Sequence, residues 1–145
     1  MTAKIVVGLD GSGAGERAVA HARDIAQRMS ACELVLVYVI EWSPFTFQTP
    51  EENAERHKRR EQEISAAQTR IVDPAVASAK GDGVAVRGVV KHGDVAETLE
   101  RIAAQEEAVQ IVVARASETG VVKRIFGSST VNLVMHASVP VTVVP

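Results

Sequence analysis

Few side chains in this sequence have the type and spacing that covalent chemistry needs. The four histidines, His21, His57, His92 and His136, are scattered, and no H-x-x-x-H or H-E-x-x-H spacing sets two ring nitrogens on one metal. His21 and His57 read as parts of solvated helix faces, and His136 as a residue meeting the last carbonyls of its helix. His92, followed by Gly93-Asp94, is the one histidine expected at a cleft. The single cysteine, Cys32, excludes an internal disulfide and a cysteine-based zinc site; it reads as a small hydrophobe buried between a helix and the next strand. No acid–base pair or activated nucleophile emerges, so no dedicated enzyme is expected.

Anion binding is the chemistry that remains. In residues 109–131 a short apolar run, Ile111-Val112-Val113-Ala114, precedes a loop of small and basic residues, and Gly127-Ser128-Ser129-Thr130 is expected to open a helix. Strand, loop and helix start in that order bring free N–H groups and a positive dipole end to the strand's carboxyl edge. The loop carries Arg115, Lys123 and Arg124 against Glu118, on a chain whose net charge is −2. A second glycine-rich turn, Gly8 to Gly15, fails both nucleotide-loop patterns. Ala14 stands where G-x-x-x-x-G-K-[ST] needs lysine, and the spacing is not G-x-G-x-x-G. It reads as a tight strand-to-helix turn, in which Asp10 either joins the helix start or points into a cleft to accept hydrogen bonds from a ligand.

These residues need a frame, and the patterning supplies one. Buried strands are expected at Lys4 to Leu9, Leu34 to Ile40, Val84 to Val90, Ile111 to Ala114 and Val141 to Val144. Ser12 caps a helix burying Ala18, Val19, Ala22, Ile25, Ala26 and Met29. Thr49-Pro50-Glu51-Glu52 opens another, whose segment Glu55 to Glu63 has alternating charges and reads as solvated. Asp73-Pro74 is expected to cap a shorter helix ending before Gly81. Asp94 to Glu97 opens a helix burying Leu99, Ile102 and Ala103, and the last helix is expected to bury Val131, Val134 and Met135. Trp42, Phe45 and Phe47 fall in a loop that either caps the sheet's end or serves as a flap over the cleft or a partner surface.

Strands alternating with helices predict an α/β fold: an open five-stranded parallel sheet, order 3-2-1-4-5, with helices on both faces, in one domain over 1–145. Ligands in such sheets bind at the strands' carboxyl ends, here Asp10 to Ser12, Val39 to Glu41, His92 to Asp94 and Ala114 to Ser128. A phosphoacceptor receiver domain is excluded. Lys91-His92-Gly93 and Val144-Pro145 stand where it needs an aspartate after the third strand and a lysine after the last. A pI near 6.1 argues against nucleic acid and anionic membrane as partners. The start MTAKIVVGLD lacks a signal-peptide pattern, so a cytoplasmic location is expected.

Three stretches resemble the universal stress proteins: Val6-Val7-Gly8-Leu9-Asp10-Gly11-Ser12, His92-Gly93-Asp94, and Gly127-Ser128 with Val131, His136-Ala137 and Pro140-Val141. The resemblance covers the whole chain. It implies a Rossmann-like fold of the adenine nucleotide alpha hydrolase type and a stress-response module binding ATP or another adenine nucleotide, with Mg²⁺ as companion ion. Family members that bind ATP carry G-x2-G-x9-G-[ST] after the fourth strand. Here the spacing is intact, but Ala114 and Ser117 replace the first two glycines. By this resemblance Gly8 and Asp10 line the ribose or base region, Val39 offers backbone hydrogen bonds to adenine, and Gly127, Ser128 and Ser129 hold phosphate. Val113 and Arg115 flank the first substituted position, and Arg115 either offsets a lost backbone contact or blocks the pocket. The two added Cβ atoms are expected to weaken binding roughly 30- to 1000-fold, at about 1–2 kcal/mol each. The resemblance further implies a homodimer through Val141-Val144, with at most slow ATP hydrolysis. The alternative is a nucleotide-free dimeric adaptor that acts through an unknown protein partner.

Overall fold

Parallel strands need long crossovers, and here helices supply them. The computed structural model describes residues 2–41, 49–81, 83–115 and 122–145, with only the backbone of 122–128. In chain order the elements are β1 (Ala3–Leu9), α1 (Gly13–Gln27), β2 (Cys32–Glu41), α2 (Pro50–Ala67), a π-helical turn (Gln68–Val72) and α3 (Asp73–Ala79). Then follow β3 (Ala85–Gly93), α4 (Val95–Gln105), β4 (Gln110–Ala114), α5 (Val122–His136) and β5 (Val141–Val144). The sheet is parallel, in the order β3-β2-β1-β4-β5 that the patterning predicts.

Strand alternation sorts the core into two layers. Ile5, Val7, Leu34, Leu36 and Val112 face Ala18, Ala22 and Ala26 of α1 and Ala79 of α3. Val6, Val35, Val37 and Ile111 face Leu99, Ile102 and Ala103 of α4 and Leu133 of α5. Side chains so small on α1 let it lie close to the sheet. Cys32 is buried at the start of β2, as its sequence context predicts.

Three helices begin where their caps predict. Ser12 Oγ accepts the Ala14 N–H at 3.2 Å. Thr49 and Glu52 exchange both bonds of a capping box, at 3.1 and 3.2 Å, and Asp94 Oδ2 accepts the Glu97 N–H at 2.9 Å. The other two differ from expectation. Asp73-Pro74 caps nothing: the helix continues from α2 into α3 through the π turn, and the Asp73 N–H reaches back to the Gln68 carbonyl. Widening the ladder to i→i−5 lets the chain pass a proline, whose ring would otherwise clash with the preceding turn. The Asp73 carboxylate accepts instead from Gln68 Nε2 at 2.7 Å.

The last helix opens at Val122, five residues before Gly127. Nothing between Val122 and Phe126 breaks a helix, so it propagates backward past the expected start. Its buried stripe is also displaced. Among the described side chains of α5 Leu133 is the buried one, whereas Val131, Val134 and Met135 are 59%, 53% and 71% exposed.

Candidate functional site

At the carboxyl edge the sheet comes apart along one seam. The β1–β4 ladder pairs Ile5 with Gln110, Val6 with Ile111 and Val7 with Val112, and stops there, although β1 continues to Leu9 and β4 to Ala114. From this seam the chain turns toward β2 on one side and β5 on the other, which makes it the switch point where open α/β sheets bind ligands. The described part of the crevice encloses about 40 Å³, and Gly8, Asp10, Val113, Ala114 and Ser129 line it with an apolar wall that includes Leu99 and Leu133. Five residues chosen from sequence thus meet in one place. A side chain at Gly8 would stand 3.0 Å from Val113 Cγ1 and 3.1 Å from Leu99 Cδ1, so that end of the crevice admits only glycine without repacking.

Asp10 is a helix-start carboxylate. Its Oδ1 accepts the N–H groups of Ser12 and Gly15 at 2.9 and 3.1 Å, and its Oδ2 accepts the Ser12 hydroxyl at 2.7 Å. An ionised carboxylate offers about four acceptor sites, so one remains for a ligand hydroxyl. Val39 is buried one residue beyond Tyr38, the last β2 residue opposite β1. Among the described residues β2 pairs only with β3 from Val39 onward, and its other side has no strand neighbour there.

Arg115 is anchored through its backbone: its N–H donates to the Val144 carbonyl at 2.7 Å, and its carbonyl accepts from Arg17 Nη2 at 2.7 Å. Arg17 also donates from Nε to the Pro145 carbonyl at 3.2 Å. Sequence reasoning missed Arg17. The available signal is a cation one turn into α1, where the helix dipole favours carboxylates, so a specific partner must hold it.

His92 lies elsewhere. It is the next-to-last residue of β3, two strands away from the seam, and its Nε2 stands 3.3 Å from Glu63 Oε2 of α2. Burial and the Arg60 charge lower its pKa, against Glu63. Ser117, the side chains of Ser128, Lys123 and Arg124, and the aromatics Trp42, Phe45 and Phe47 lie outside the described residues, and of Gly127 only the helical backbone is described.

A switch-point crevice floored by aliphatic strands and rimmed by a carboxylate and hydroxyls marks a doubly wound α/β domain. The chain belongs to the universal stress protein family, whose sequence model matches residues 1–145. No curated protein matches it. Among solved structures it is similar to hypothetical protein MJ0577, at 22% identity and TM-score 0.76, covering 99% of this chain and 96% of that one. A universal stress protein family member from Burkholderia pseudomallei matches at 29% identity and TM-score 0.65, covering 99% and 96%. A universal stress protein solved in complex with cAMP matches at 24% and 0.66, also covering 99% and 96%.

Proposed function

We propose that this chain is a one-domain, cytoplasmic stress-response module that binds an adenine nucleotide weakly at the β1–β4 seam, with Mg²⁺ accompanying the phosphates. The carrying observation is the seam itself: Gly8, Asp10, Val113, Ala114 and Ser129 line one crevice at the switch point. The cAMP complex of a family neighbour supports the same ligand class. In this reading the spare acceptor site of Asp10 takes a ribose hydroxyl, and the open backbone beyond Tyr38, at Val39, receives the base. Gly127, Ser128 and Ser129 face the phosphates, while Ala114, Ser117 and Arg115 set how closely the loop approaches them. A homodimer through β5 belongs to the same reading.

Calorimetric titration with ATP, ADP and AMP tests it directly. Ala114→Gly combined with Ser117→Gly is expected to tighten ATP binding at least tenfold, because glycine admits φ > 0 and closer backbone approach. AMP, with one phosphate, is expected to gain less. Failure of the double variant to bind any nucleotide would move the assignment to the second reading, a nucleotide-free adaptor. That reading draws on the small size of the described crevice, since sites for small molecules occupy roughly 300–1,000 Å³.

A further inference from the structure

A larger cavity lies on another part of the molecule. Between α1 on one side and the π turn with α3 on the other runs an open groove of about 560 Å³, within the range of small-molecule sites. Its origin is local. The π turn sets Val72 directly over Gly88 of β3, where any side chain would collide with Val72 Cγ1 and meet Val76 Cγ2 at 3.1 Å. The helical run is thereby anchored on β3. Across the gap α1 presents Gly13, Gly15 and Ala20 beside Glu16, Val19 and Arg23, and the small residues leave space unfilled.

The groove is long and sided. Its upper end lies where Ile71 Cδ1 approaches Gly11, and its lower end where Arg23 Nη2 approaches Gly81, each 3.4 Å from where a Cβ would stand. From Ser12 to Arg23 the α1 wall is about 16 Å long at 1.5 Å per residue. The apolar lining is aliphatic, with Val19, Ile71, Ala75 and Ala79 contributing. The charged lining is Arg23 and Arg70 against Glu16. Arg70 is exposed and has no ion pair or hydrogen bond among the described residues.

We infer that this groove binds an elongated aliphatic carboxylate of the medium-chain acyl class, with its alkyl chain between α1 and α3 and its carboxylate on Arg70. The aliphatic side chains of the lining match an alkyl chain, and a neutral chain would leave the Arg70 cation unused. The site shares no charged group with the seam and does not depend on nucleotide binding.

Calorimetric titration of the whole protein with dodecanoate below its micelle concentration tests the inference. Saturable binding with one site per chain is expected. Ser78→Trp and Ala20→Trp, both at exposed rim positions, should each weaken it at least tenfold by filling the groove. Arg70→Glu should weaken it at least fivefold, and Glu16→Gln should strengthen it. Val109→Glu, at an exposed apolar position outside both the groove and the proposed dimer surface, should leave it unchanged. Absence of saturable binding overturns the inference. So does binding that survives both tryptophan variants, or binding lost with Val109→Glu, which would mean adsorption on exposed apolar surface. ATP titration of Ser78→Trp keeps the two sites apart, because its nucleotide affinity should equal that of the parent.

Discussion

Asp10 joins the end of β1 to the first turn of α1 through three hydrogen bonds, so it has a structural duty whatever it does for a ligand. Asp10→Ala is expected to cost about 1–2 kcal/mol of stability, the usual worth of a helix-start acceptor. Asp10→Asn should cost less, since an amide oxygen still accepts the N–H groups of Ser12 and Gly15. Urea midpoints of the two variants check the order. His92 carries the opposite kind of information. Its side chain is 12% exposed, and neither ring nitrogen has a hydrogen bond among the described residues. Burial first, then the Arg60 charge, lowers its folded-state pKa below the ordinary 6.5, with Glu63 opposing. A base with a depressed folded pKa contributes stability that is complete above its unfolded pKa and is lost as the pH falls. The protein should therefore lose stability between about pH 7 and pH 5 more steeply than its His92→Gln variant. Equal slopes would show that the imidazole titrates alike in both states.

Elements were legible in proportion to how far local rules govern them. Capped starts at Ser12, Thr49 and Asp94, and strands read from runs such as Ile5-Val6-Val7 and Val141 to Val144, follow from neighbours within four residues. The π turn does not, because its cause is tertiary. Pro74 forbids a regular ladder, and Gly88, distant in sequence, leaves the hole that Val72 fills. The α5 stripe fails for a related reason. Val131, Val134 and Met135 are spaced to form one helical face, but periodicity cannot say whether a face meets its own sheet or the outside, and here Leu133 takes the core. At the site, Gly8 and Asp10 at the end of β1 and Ala114 at the end of β4 were readable from spacing, whereas Arg17 was not, since its partners are the backbone carbonyls of Arg115 and Pro145, remote in sequence and just past β4 and β5. The π-turn argument makes a quantitative claim. Gly88→Ala should cost about 1–3 kcal/mol by overpacking, and Val72→Ala should cost a cavity penalty of its own. Combined, the two changes should cost less than the sum of the separate losses by at least about 1 kcal/mol, since each relieves the other. Additive losses in chemical denaturation would show that the two residues do not share the space.

The two edges of the sheet divide the labour. At the amino edge, Glu106 accepts from Lys4 at 2.9 Å and Arg87 at 2.6 Å, and Arg87 reaches Glu33 at 3.1 Å. This network ties β1, β2 and β3 to the end of α4 and holds the Glu106 carboxyl below its usual range. The carboxyl edge carries the seam. A third boundary, the outer strand β5, pairs with β4 on one side only, and an unpaired strand edge is a template for association. Val143 is 39% exposed there. It shares a sheet face with Val141, which packs in the α4–α5 layer, because alternate strand residues point the same way. The exposed stripe Val131, Val134 and Met135 belongs to α5, in that same layer. In the proposed dimer two copies pair antiparallel through β5, and the apolar stripe of α5 extends the contact. A stable interface needs roughly 1,200–2,000 Å² in total, which four strand residues alone do not supply, so the proposed dimer depends on the α5 stripe. Light scattering should give twice the 15.5 kDa chain mass for the parent at micromolar concentration. Val134→Glu with Met135→Glu should give the single-chain mass with the far-ultraviolet circular dichroism unchanged, because both side chains are exposed in the monomer. A parent that is already monomeric, or a double variant that stays dimeric, would remove α5 from the interface and leave the exposed stripe for a different partner.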